Sequence, residues 1–236
     1  MKITIKCCLA VALGLAVAGC SKYGGHKKVQ LWKNGPYWAE TNIGAETPWD
    51  FGYYFWWGDT VGYKRVNDAW VASDGSSSGF SFDSKYVPTW GMDEGDLLKE
   101  GWAKTDRFGG IVFLSPEHDA AHVHWGGAWR MPTDMEISDL VEECDWTWTE
   151  IKGVAGYVVR GKGAYASASI FLPAAGHGEG KSLESSGRVG DYWSLSTPRR
   201  GSFSTAFFFF SDRHNVNDCG GRSNGYPIRP VQGFAK

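Results

Sequence analysis

The chain has 236 residues, with 24 Lys+Arg against 26 Asp+Glu and a formal net charge of −2. That balance excludes a nucleic-acid footprint, which needs a basic face. Thirteen Trp and 32 Gly are high against ordinary usage, and they point to aromatic side chains lodged among loops and not to stacked helices.

At the start, Lys2 and Lys6 precede the apolar run Leu9 to Val17, which ends in Val17-Ala18-Gly19-Cys20. The run is about half of what a bilayer-spanning helix needs, so residues 1–19 read as a signal peptide. The junction resembles the bacterial lipobox, which implies that Cys20 carries a diacylglycerol and becomes the first residue. The membrane is then engaged through the lipid anchor only. The aspartate that retains many lipoproteins at the inner membrane is absent, with Lys at 22, which favours the outer membrane or cell surface. Residues 20–28 are small and polar and read as a tether. The domain is expected over 29–232, with 233–236 as a tail, and its length suits one core.

Val29 to Trp32 and Tyr37 to Ile43 read as strands around the turn Asn34-Gly35-Pro36. Residues 73–84 and 88–96 read as polar loops. A helix is expected from Ser115, with Pro116 at its first position, stopping before Gly126-Gly127. A second opens at Thr133, where Thr133-x-x-Glu136 is a capping box, and runs through Cys144. Short strands follow at 156–160, 169–172, 191–194, 206–210 and 226–231. Two helices followed by short strands and long loops argue for the α+β class.

Few residues carry catalytic or metal chemistry. His118, His122 and His124 have metal-like spacing, but no Glu completes an HExxH pattern and no second cluster closes a zinc shell. The triplets Glu-Pro-Asn and Trp-Asn-Asp of sugar-binding calcium sites are absent. No cofactor is therefore expected, and the chain reads as a binding protein and not an enzyme. Cys144 and Cys219 are the cysteines left in the domain, and an exported pair permits a disulfide without requiring one. In the block Trp129-Arg130-Met131-Pro132-Thr133, Trp129 is expected in the core and Arg130 on carbonyls or a carboxylate, with a similar role for Arg229.

Several blocks resemble one family. Trp38-Ala39 with Asn42-Ile43-Gly44-Ala45, and Tyr53 to Thr60, are similar to the opening of the Fibrobacter succinogenes major paralogous domain. His118-Asp119-Ala120-Ala121, Gly127 to Thr133 with Glu136, and Ile170 to Gly176 are similar to its central blocks. Tyr192-Trp193-Ser194, Ala206, Arg222, Gly225 and Ile228 to Val231 resemble its close. The resemblance implies a C-type-lectin-like fold related to the formylglycine-generating enzymes: a small mixed sheet, two flanking helices and chain ends close together. The enzyme analogy implies a metal- or thiol-dependent activity of the sulfatase-modifying type as an alternative, and a structural envelope protein is a third reading.

Between the framework blocks, residues 195–224 lose their period. Arg, His, Asn and four consecutive Phe (207 to 210) mix there, which is the composition of a recognition surface. The segment resembles the variable region of proteins diversified by retroelements, which use the lectin-like fold and replace binding residues at their C-terminal end. The expected contact residues are Leu195, Arg199, Arg200, Phe203, Phe208, Asp212, Arg213, His214, Asn215, Asn217, Asp218, Ser223 and Asn224. The expected partner is a protein or a cell-surface polymer.

Overall fold

The computed structural model describes residues 25–76, 79–106, 109, 112–197 and 203–233. The leader and Cys20 lie outside the described residues. In chain order the first strands are β1 (Lys28–Gln30), β2 (Tyr37–Ala39), β3 (Tyr63–Val66) and β4 (Ala69–Ala72). Helix α1 (Glu94–Lys99), β5 (Ala103–Thr105), β6 (Val112–Leu114), α2 (Ala120–Trp125), β7 (Trp129–Arg130) and α3 (Asp134–Glu143) follow. The rest is strand-rich: β8 (Cys144–Ile151), β9 (Val154–Gly161), β10 (Ser169–Pro173), β11 (His177–Glu179), β12 (Ser182–Glu184) and β13 (Gly190–Trp193). The last three are β14 (Phe203–Phe210), β15 (Arg213–Gly221) and β16 (Val231–Gln232). This is a mixed but strand-rich chain of the α+β class, built from small sheets.

The sheet β1-β2-β16-β7 brings the two ends of the domain together. Val231 pairs with Trp38 on one side and Arg130 on the other, and the Lys28 ammonium donates to Gln232. A second sheet, β10-β9-β8, turns tightly at Lys152-Gly153, where both residues have positive φ (55° and 82°). That is the backbone a two-residue hairpin turn requires. The third sheet, β13-β14-β15, carries the segment of interest. Its inner face joins α3 and the β8–β9 hairpin around Leu140, Tyr157, Val159, Phe207 and Phe209.

Buried arginines tie loops to strands. Arg229 donates to Asn42 Oδ1 (2.8 Å) and to the carbonyls of Ala39, Glu40 and Phe171. Arg130 donates to the Glu136 carboxylate (2.7 Å from Nη1) and to the carbonyls of Met131 and Gly233. Glu136 also closes the Thr133 capping box, so the expected N-terminus and the Arg130 ion pair are one construction.

The structure corrects several boundaries. The expected tether ends early: His26 stacks on Trp125 with centroids 3.7 Å apart, and Lys28 is already in a strand. The helix expected from Ser115 is a single 3-10 turn, because Ser115 Oγ donates to Gly101 and does not cap. Asp119 restarts the chain as α2 by accepting from the Ala121 and His122 amides. Helix α1 lies in an expected loop, opened by an Asp93/Asp96 capping box. The strand expected over 226–231 is a ladder only at Val231–Gln232, since Pro227 and Pro230 lack the donors a ladder needs. The ladders among the described residues are all antiparallel, and the parallel contact is one bridge, Gly176 to Gly190, so the mixed sheet implied by the resemblance is nearly absent.

Candidate functional site

The β14–β15 hairpin has a fixed base and an open tip. At the base, the fully enclosed Arg222 donates to Ser204 Oγ (2.8 Å) and to the carbonyls of Thr89 (2.6 Å) and Met92 (2.9 Å). Its guanidinium sits 4.7 Å from the Trp57 ring centroid, and burial lowers its pKa to about 10, still far above neutrality. Gly220 cannot carry a side chain, since a Cβ would fall 2.5 Å from the Tyr226 ring.

Along β14 the period of two sorts the phenylalanines. Phe207 and Phe209 are buried, and their rings meet Trp146, Trp148, Tyr157 and Tyr192 at centroid distances of 5.5–6.3 Å. Gly190 on β13 makes room for Phe209, whose ring comes within 2.0 Å of where a Cβ would stand. Phe208 and Phe210 point the other way and are half-buried, packed edge to face with centroids 4.5 Å apart. Arg213 pairs with Phe210 across the two-residue turn, and its guanidinium lies 4.8 Å over that ring. Arg213 and Asp212 are exposed. Together with Trp148, Arg188 and Val189 they line a cleft of about 490 Å³.

The expected contact residues therefore separate. Phe208, Asp212 and Arg213 come together at the tip. His214 is beside them in sequence but turned inward, stacked on Trp146 (4.6 Å, 11° between planes) and edge-on to Tyr157. Burial lowers its pKa, which favours the neutral ring. Phe203, Asn215, Asn217 and Asp218 lie on the two strands: Asn215 is opposite Phe208, Asp218 opposite Ala206, Phe203 opposite Gly221, and Asn217 falls at the bulge. Arg199 and Arg200 lie outside the described residues.

Three expected contacts are displaced by the fold. Leu195 is buried; its amide donates to Pro132 O (2.7 Å) and its carbonyl accepts from Leu114. It lines a different, mostly apolar cavity of about 380 Å³ with Phe113, Pro116 and Trp129. Ser223 and Asn224 follow the base of the hairpin, about 26 Å of strand away from the tip. There Ser223 O accepts from Trp56 Nε1 (3.0 Å), and Asn224 contacts the Tyr226 hydroxyl (3.4 Å).

The remaining chemical candidates are built into packing. His118 stacks on Trp102 at 3.8 Å, and His124 Nε2 contacts Thr60 O at 2.8 Å. Among the described residues no group of three or more His, Cys, Asp or Glu converges as a metal shell would. Cys144 is a free, buried thiol at the end of α3 and the start of β8, with its pKa pushed up to about 12 by burial.

One pair was not anticipated from sequence. His177 Nδ1 lies 2.9 Å from Oδ2 of the buried Asp191, which sits opposite Phe208 on β13. That hydrogen bond is the main cause of a raised His177 pKa. The two residues are 14 positions apart on separate strands, so no local motif marks them.

Comparison with protein-family models, with curated proteins and with solved structures finds no match to this chain.

Proposed function

We propose that this chain is a surface-anchored, ligand-binding lipoprotein that displays the tip of the β14–β15 hairpin on a C-type-lectin-like scaffold. The observation that carries the reading is the unequal treatment of neighbouring rings. Phe207 and Phe209 fill the core, while Phe208, Phe210 and Arg213 pack on one another at the surface. Leaving such rings partly wet forgoes part of the roughly 1.5–3 kcal/mol that burying a Phe supplies. Aromatic and arginine side chains gathered beside a cleft are the composition of a binding hot spot.

The lectin-like scaffold is supported by the adjacent chain ends, the small sheets and the Trp- and Gly-rich loops. A lipid on Cys20 would hold the domain at the outer membrane or cell surface, which makes a protein or a cell-surface polymer the ligand. Diversification by a retroelement suits the hairpin, because its outward positions can change while Arg222 and Gly220 hold the base. A thiol-dependent enzyme has less support: a buried thiol with a raised pKa is a poor nucleophile.

The full-length chain should be screened against extracellular proteins and envelope polymers, beside a Phe210→Ser/Arg213→Ala variant. The expected result is a ligand whose affinity falls about tenfold or more in the variant, with a melting temperature lowered only by the few degrees that losing the Phe208–Phe210 contact accounts for. Ligands that bind both forms equally would remove the tip as the site.

A further inference from the structure

Resting on the hairpin-tip reading, we infer that the partner is a protein, gripped by a surface carboxylate that seats between Arg188 and Arg213. The two arginines come from different loops at one end of the third sheet. Arg188 closes a turn in which the Arg188 and Val189 amides both donate to Ser185 O (3.1 and 3.0 Å), just before β13 begins. Arg213 opens β15. Pairing of Gly190 with Phe209, and of Phe210 with Arg213, brings both loops to the same cleft.

Neither guanidinium, nor Asp212 in the same cleft, forms an ion pair with another described residue. Arg213 spends one flat face on Phe210, which leaves its N–H edge for a planar acceptor. A carboxylate matches that fork with two parallel hydrogen bonds. Trp148 and Phe210 supply apolar wall for a side chain flanking the acid. In a chain of net charge −2, two unpaired arginines beside one cleft are a local inversion of sign.

Asp212 decides between kinds of partner. A uniformly anionic polymer sets a charge at every repeat and meets Asp212 as a repulsion. A protein surface can place Lys or Arg against Asp212 and an acid against the arginines. The mixed signs of the cleft thus fit a mixed-charge protein segment.

The test pans the full-length chain against a displayed library of random peptides, with polygalacturonate as a uniform polycarboxylate probe. The expected result is enriched peptides carrying Asp or Glu, bound about tenfold more weakly by Arg188→Gln and by Arg213→Gln at unchanged melting temperature. Binding should weaken as salt rises, and Asp212→Asn should weaken peptides that also carry Lys or Arg. If enriched peptides lack acids and ignore both Gln variants but are lost with Phe210→Ser, the carboxylate inference fails while the tip reading stands. Enriched peptides indifferent to all of these substitutions, Phe210→Ser included, or no peptide that prefers the wild type over Phe210→Ser/Arg188→Gln/Arg213→Gln, would remove both. Preferential binding of polygalacturonate, strengthened by Asp212→Asn, would replace the protein partner by a polyanion.

Discussion

Arg222 and Arg229 are enclosed, each bonded to several carbonyl or side-chain oxygens of loops far away in sequence. Arg188 and Arg213 are the same side chain left exposed, without an ionic partner among the described residues. The first pair is used where long loops must be held, because one guanidinium can satisfy several buried acceptors at once. The second pair stands where the backbone is already fixed, Arg213 by the β14–β15 ladder and Arg188 by the turn on Ser185, so its donors are free for another molecule. The base of the hairpin and its tip differ in the same way.

The largest effects should fall on the enclosed side. Arg229→Met leaves Asn42 Oδ1 and three carbonyls without their donor, which should cost about 3–5 kcal/mol in urea unfolding. A loss under about 1 kcal/mol would mean that water or relaxation replaces those bonds. Phe209→Ala should cost about 3–5 kcal/mol, whereas Phe208→Ala, one residue away, should cost about 1 kcal/mol, mainly its packing on Phe210. Equal losses would break the distinction between the two faces of β14.

Smaller effects sharpen the comparison at the tip. His214→Ala removes the stack on Trp146 and should cost about 1 kcal/mol. Arg213→Ala should stay within about 0.5 kcal/mol of the wild type in the same denaturation experiment, yet it should weaken ligand binding. His214 is thus a support for the tip, and a variant that removes it together with Arg213 confuses folding with recognition.

One part of the pH dependence comes from His177. Its pKa is raised above 6.5 in the folded chain by the bond to Asp191, so the folded state binds the proton more tightly than the unfolded one. The stabilisation is complete below about pH 6.5 and is lost as pH rises through the raised value. His177→Gln should flatten that part of the melting-temperature profile, and an unaltered slope would show that the pair does not contribute.

Local signals were legible in the sequence and distant ones were not. The Thr133 capping box needs four residues and is present as expected. Strand β8 was not among the expected elements, and the helix expected through Cys144 stops one residue short, where β8 begins. Composition marked 195–224 as unusual but could not say which side chains share a face. Leu195 is turned inward by its backbone bonds to Pro132 and Leu114, while the pairing of β14 with β13 and β15 sends Ser223 and Asn224 to the base and adds Arg188 from outside the window. Thr89 and Met92, which accept from Arg222, are likewise set by loop closure across 133 and 130 residues.

The most direct test of the central claim needs no ligand. The gene, with its flanking DNA, can be sequenced in many cells and related strains and the differences placed on the fold. Substitutions should concentrate at the outward positions of the tip, around Phe208, Phe210, Asp212 and Arg213, beside a near-copy of those codons and a reverse-transcriptase gene. Gly190, Gly220, Arg222 and Arg229 should stay constant. Differences spread evenly over base and tip, with no such copy, would contradict the diversified hairpin and leave its tip no more privileged than any other surface.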